Sequence, residues 1–188
     1  VRFHATVLIT LLPPVLLLAG KARGDDGKEF TPKNGIYTIT LPDGDTSADK
    51  TKVLTIGKHK VPIEASKSAL KDGTTFAGAS VGIPAVVMRD IPADKRFDTL
   101  RDAIVKTLNG KVKEEKDIKQ DPIPGKEYQV ELPKGTARVQ LYTVAGWVVF
   151  AVVEGKNKDA VNSKQADAFF DSLKFTDKAK DIFRSVKR

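Results

Sequence analysis

The sequence predicts an α+β fold: an antiparallel β-sheet with two main helices packed on it, preceded by a signal helix. Three observations carry this. Short runs with a period of two, the mark of half-buried strands, fill most of the chain. Two stretches, residues 94–109 and 163–173, switch to helical spacing. Neighbouring strand-like runs are joined by short Pro/Gly turns, whereas parallel strands would each need a long crossover.

Residues 1–24 differ in kind from the rest. Arg2 and His4 give a cationic start, residues 5–20 are nearly all apolar, and Ala22-Arg23-Gly24 precedes the acidic pair Asp25-Asp26. This is the pattern of a secretory signal peptide; Ala19-Gly20 also offers small residues, and the cut is expected between Gly24 and Asp25. A membrane anchor would need ~20 predominantly apolar residues, and Pro13 and Pro14 break this shorter run. The expected location is extracytoplasmic, periplasmic or secreted, with no transmembrane segment after processing.

Residues 25–34 are polar and read as a flexible lead-in. Residues 36–41 alternate Tyr37, Ile39 and Leu41 with threonine, a half-buried strand ended by Pro42-Asp43-Gly44. Residues 53–56 and 60–70 make two extended runs around Gly57-Lys58, and Asp72-Gly73 turns the chain into a strand over 74–81. Pro84 makes residues 85–91 an edge strand or a bent continuation. Phe97, Leu100, Ile104 and Leu108 then share one helical stripe, with Asp94 as N-cap and Asn109-Gly110 as stop. A charged extended run over 112–120 and a loop at Pro122, Pro124 and Gly125 follow.

In residues 126–132, Tyr128, Val130 and Leu132 face one side while Glu127, Gln129 and Glu131 face the other, so one face is expected to be wet. A strand over 136–144 comes next. Residues 147–153 are apolar on both alternating sets, which predicts a central strand covered on both faces. Ala166, Phe169, Phe170 and Leu173 give the closing helix its apolar stripe, with Asn162 or Ser163 as cap. Residues 35–175 are thus read as a single domain, and 176–188 as a basic C-terminal tail.

The composition is that of an ordinary globular chain of 188 residues, 40% hydrophobic and 30% charged. Removing residues 1–24 takes away Arg2, Lys21 and Arg23 and no acid, so the formal charge falls from +8 to +5. Such an excess suits an envelope protein or an anionic surface as partner, while the interleaved basic and aromatic blocks of nucleic-acid binding are missing. Zero cysteines exclude disulfides, thiol catalysis and cysteine-ligated zinc or iron–sulfur sites. The fold must stand on its core, and a domain of this size buries about two-thirds of its unfolded surface.

The search for chemistry finds no assembled catalytic set, and no cofactor or metal is expected. His59, the one histidine beyond the leader, sits between Lys58 and Lys60 and has no nucleophile signature to serve. Asp43, Asp45, Ser47 and Asp49 space oxygen ligands as a calcium loop does, but Ala48 stands at the required glycine and Leu54 at the closing glutamate, so a polar loop is the better reading. Residues 78–82 lack the lysine and following helix of a phosphate cradle. Trp147 and Tyr142 flank a tight turn and could stack on a sugar or peptide, but core packing is the stronger reading of Trp147. Lys178, Lys180, Arg184, Lys187 and Arg188 surround Ile182, Phe183 and Val186 as a short basic amphipathic segment, a candidate surface contact weighed against a frayed, solvated helix.

Pro124-Gly125-Lys126-Glu127, residues 135–142, residues 146–155 and the run 166–175 together resemble bacterial PsbP-like exported proteins, an α/β/α sandwich group that includes the PsbP photosystem subunit. The resemblance covers residues 30–175 and rests mainly on core and turn positions. It implies an exported, non-catalytic domain used for binding or assembly, with no family site residues to carry over. The function expected is therefore that of an extracytoplasmic binding or scaffolding domain. The alternatives are a hydrolase of envelope polymers whose carboxylates the fold assembles, and a carrier of a small apolar ligand.

Overall fold

The computed structural model describes residues 27–49 and 53–186. In chain order the strands are β1 (Lys28–Phe30), β2 (Tyr37–Leu41), β3 (Asp45–Asp49), β4 (Val53–Ile56), β5 (His59–Pro62), β6 (Glu64–Ala69), β7 (Thr75–Gly82), β8 (Lys111–Gln120), β9 (Ile123–Leu132), β10 (Gly135–Val144), β11 (Trp147–Gly155) and β12 (Lys174–Phe175). The helices are α1 (Ala85–Asp90), α2 (Arg96–Thr107), α3 (Lys158–Val161), α4 (Lys164–Ser172) and α5 (Asp177–Val186).

The middle layer is a seven-stranded antiparallel sheet in the order β3-β6-β7-β11-β10-β9-β8. Strand β11 is the fourth of the seven, where its two apolar faces are needed: Val148, Phe150 and Val152 enter one core, Val149, Ala151 and Val153 the other. The first core lies under α1, α2 and the β4–β5 hairpin, and includes Leu54, Val87, Leu100, Ile104, Tyr128 and Leu141. The second lies under α4, α5 and the small sheet β1-β2-β12, and includes Ile39, Phe76, Tyr142, Phe169 and Phe170.

Helix α4 starts where Ser163 accepts a hydrogen bond from the Ala166 amide, as expected of its cap. The α2 stripe is also as expected, with Leu100 and Ile104 buried and Phe97 and Leu108 packed beside them. Its start differs. Asp94 lies in a 3-10 turn over Ala93–Lys95, and Lys95, with no side-chain cap bond, takes the N-cap position. Its end conforms: Asn109 adopts φ 53° and the Gly110 amide reaches the Val105 carbonyl at 3.0 Å.

Other expectations are corrected. The lead-in contains β1, which pairs with β2 and sets Phe30 edge-on against Tyr37 at 6.3 Å. The loop at 43–49 contains β3, an edge strand held to β6 by backbone pairing that its polar side chains do not announce. Residues 85–90 are helical rather than extended, because the Pro84 carbonyl accepts from Val87 and Met88 amides and Val87 reaches the core. Pro124 and Gly125 lie inside β9, leaving Asp121-Pro122 as the turn. The C-terminal tail is α5, with Ala179 fully buried and Ile182 and Phe183 packed on the second core.

Candidate functional site

Helices α3 and α4 cover β10 and β11 but leave the same face of β8 and β9 open, and the side chains there are charged. On this face the register sets Lys116 of β8 opposite Glu127 of β9, and Glu127 opposite Gln140 of β10. The face expected to be wet therefore hides one of its members: Glu127 is only 4% exposed. Lys116 Nζ lies 2.8 Å from Glu127 Oε1, Gln140 Nε2 donates to Glu127 Oε2 at 2.8 Å, and Arg138 Nε makes an ion pair with Oε2 at 3.0 Å.

Arg138 links this carboxylate to the helical layer. Its Nη1 donates to Asp167 Oδ1 of α4 at 2.6 Å, and its guanidinium carbon lies 4.7 Å from the centre of the Phe170 ring. The row continues inward, where the Tyr142 hydroxyl donates to Gln140 Oε1 at 2.9 Å. It continues outward where Gln129 Nε2 donates to Asn162 Oδ1 at 3.0 Å and Lys158 Nζ lies 2.9 Å from Glu114 Oε1. Around it is a depression of about 400 Å³ lined by Glu114, Lys116, Glu127, Gln129, Arg138 and Asp167, among others.

The electrostatics follow from this wiring. Burial pushes the Glu127 carboxyl up, but the Lys116 and Gln140 hydrogen bonds and the Arg138 charge outweigh it and hold the group below the ordinary carboxylate range. Burial also lowers the Arg138 proton affinity, against Asp167 and Glu127, which win and raise it. Desolvation and the Glu127 charge push the Tyr142 phenol up to about 12. The site is a hydrogen-bonded lattice of paired charges that can present fixed charges and amides to a partner.

No family model matches the chain, and no curated protein does. Among solved structures, cyanobacterial PsbP (CyanoP) from Synechocystis sp. PCC 6803 matches with a TM-score of 0.52 and 13% identity, over 85% of this chain and 99% of that chain. The fold is PsbP-like. At that identity the likeness is one of backbone course alone.

The sequence-predicted site residues are scattered over this sandwich. His59 opens β5, with Nε2 3.7 Å from Asp90 Oδ2 and no serine lining the cleft beside it. Tyr142 is 3% exposed and meets the Phe175 ring at 5.3 Å, so it offers no stacking face, while Trp147, half-buried, packs on Gly82 and the second core. Residues 45–49 form an extended strand in place of the turn a calcium loop needs. Lys178 donates to the Asn34 carbonyl, Lys180 faces Asp177 at 3.8 Å, and Arg184 pairs with Asp181 at 3.2 Å. Lys187, Arg188 and the Gly24/Asp25 junction lie outside the described residues. Among the described residues no helix is long and apolar enough to cross a membrane.

Sequence reasoning missed Glu127, Arg138 and Asp167 as a set. The signal was present in part: Arg138 and Gln140 interrupt an otherwise apolar alternation in a strand next to the central one, and buried charge in that setting demands a partner.

Proposed function

We propose that the chain is an exported, non-catalytic domain that binds or scaffolds an envelope partner through the charged depression over β8, β9 and β10. The observation that carries this is the state of Glu127. A hydrolase built on two carboxyls needs one kept protonated near neutral pH, which requires an upward shift. Glu127 is shifted downward by Lys116, Gln140 and Arg138, the arrangement of a rigid recognition surface. The apolar leader over residues 5–20 and the PsbP-like fold support the same reading. Filled cores on both faces of the sheet favour it over a carrier of an apolar ligand.

The test is capture from the protein's own envelope fraction with the chain starting at Asp25, compared with Glu114→Ala and Gln129→Ala on the rim. A partner retained by the parent, lost by both rim variants and kept by Lys106→Ala on α2 supports the proposal. Retention indifferent to the rim, or turnover of a wall polymer that the rim variants abolish, overturns it. N-terminal sequencing of the protein recovered from the envelope should begin at Asp25.

A further inference from the structure

On the opposite face of the sheet, the β4–β5 turn and the α1–α2 connection enclose a second cleft of about 310 Å³. That size falls at the lower end of small-molecule pockets, ~300–1,000 Å³. Its floor is apolar, formed by Ile56, Val87 and Ile91, all buried. Its rim is cationic. Lys58 and Lys95 line the mouth, both exposed, and neither has a carboxylate partner among the described residues, unlike Lys116 and Lys158 in the charged depression.

One wall is His59, whose Nε2 is shut off from water and makes no hydrogen bond. The nearest acid, Asp90, stands 3.7 Å away, too far for a hydrogen bond and close enough for its charge to be turned toward the imidazole. An enclosed polar atom without a partner is costly, and the imidazole would regain one if it turned toward a ligand oxygen in the cleft. The two free ammonium groups outnumber the one carboxylate in the lining, so the site selects for negative charge. The apolar floor asks for more than an inorganic ion.

We propose that this cleft binds a small organic monoanion: a carboxylate held between Lys58 and Lys95 beside His59, with a short aliphatic body lying on Ile56, Val87 and Ile91. The inference is independent of the partner-binding reading, since the two sites lie on opposite faces of the sheet. A free short-chain acid and the C-terminus of a peptide share this chemistry.

The test is a titration of the processed protein, followed by amide ¹H–¹⁵N spectra, with hexanoate, N-acetyl-leucine, hexanol and hexylammonium. Hexanoate or N-acetyl-leucine should give saturable shifts confined to residues 56–60, 87–92 and 95–99. The tighter of the two says whether free acids or peptide ends are the better occupants. Replacing Lys58 and Lys95 together with alanine should weaken binding about tenfold or more, the loss expected of charge-assisted contacts. Spectra of that variant otherwise matching the parent show that the fold is kept, and Gln129→Ala should bind as the parent does. The proposal is overturned if neither acid gives localised saturable shifts by about 10 mM, if hexanol or hexylammonium binds as well, or if the double lysine variant binds unchanged.

Discussion

Glu127 is the residue on which the charged depression depends, and its energetics are asymmetric. Its carboxylate is shared by Lys116, Arg138 and Gln140, so removing the charge alone leaves the 13%-exposed Arg138 guanidinium with Asp167 as its one counter-ion among the described residues. Glu127→Gln should therefore cost about 2–4 kcal/mol in urea unfolding. Replacing both partners, as Glu127→Leu with Arg138→Met, should cost less than the single change, because the desolvation of both charges disappears with them. A double variant less stable than Glu127→Gln would show that the pair contributes net stability. The pH dependence has a definite sign. A carboxyl lowered on folding contributes stability that is complete above its unfolded value of 4.5 and is lost as pH falls through the lower folded value. Acid unfolding of the parent should steepen below about pH 4.5, and Glu127→Gln should flatten that slope. Alternation alone marks Glu127, Gln129 and Glu131 as one face, but it cannot say that Arg138 and Gln140 stand across from that face. Register and the helix that roofs it decide which of three similar residues is buried, and neither is written in a local pattern.

At the scale of elements, what was legible is what has a period. The stripes of α2 and α4 and the two-faced β11 follow directly from spacing, while α1 and α3, of six and four residues, are too short for a stripe to repeat. The way β2 crosses the sheet is also invisible from β2 itself. It depends on Gly78 of β7: a Cβ built there would lie 2.7 Å from Ile39 Cγ2, so the bare backbone is the seat of the Ile39 side chain. The run 78–82, which fails as a phosphate cradle, is thus a packing device. Gly78→Ala should destabilise by about 1–3 kcal/mol, the range for overpacking a filled core, and Ile39→Ala, which removes the obstructing Cγ2, should cost less in that chain than in the parent. Additive losses in the double variant would mean that the two positions do not share the space. At the head of α4, Ser163→Ala should cost about 1 kcal/mol by removing the bond to the Ala166 amide.

Across the whole molecule, the two ends of the described chain are fastened to each other, and the second core is closed only when both are present. Strand β12 pairs with β2, the Thr176 amide donates to the Ile36 carbonyl, and Thr176 Oγ1 donates to the Gly35 carbonyl at 2.8 Å. Helix α5 then lays Ala179, Ile182 and Phe183 over that seam. This arrangement turns a segment that reads as a solvated tail into a structural lid: its apolar positions are few, and only the course of β2 beneath them supplies the surface they cover. It also takes the apolar side of α5 away from membrane insertion, leaving its charged side outward. Stopping the chain after Thr176 should then lower stability by about 2–4 kcal/mol, from the apolar area of the lost side chains and the cavity edge they leave. It should also raise binding of a hydrophobic dye, because Tyr142 and Phe175 lie under the missing helix. Lys178→Ala, which loses only an exposed bond to the Asn34 carbonyl, should stay within about 0.5 kcal/mol of the parent. Equal stability of the truncated and full chains, with no gain in dye binding, would return α5 to the status of a solvated tail and leave the seam at β2 and β12 closed by Thr176 alone.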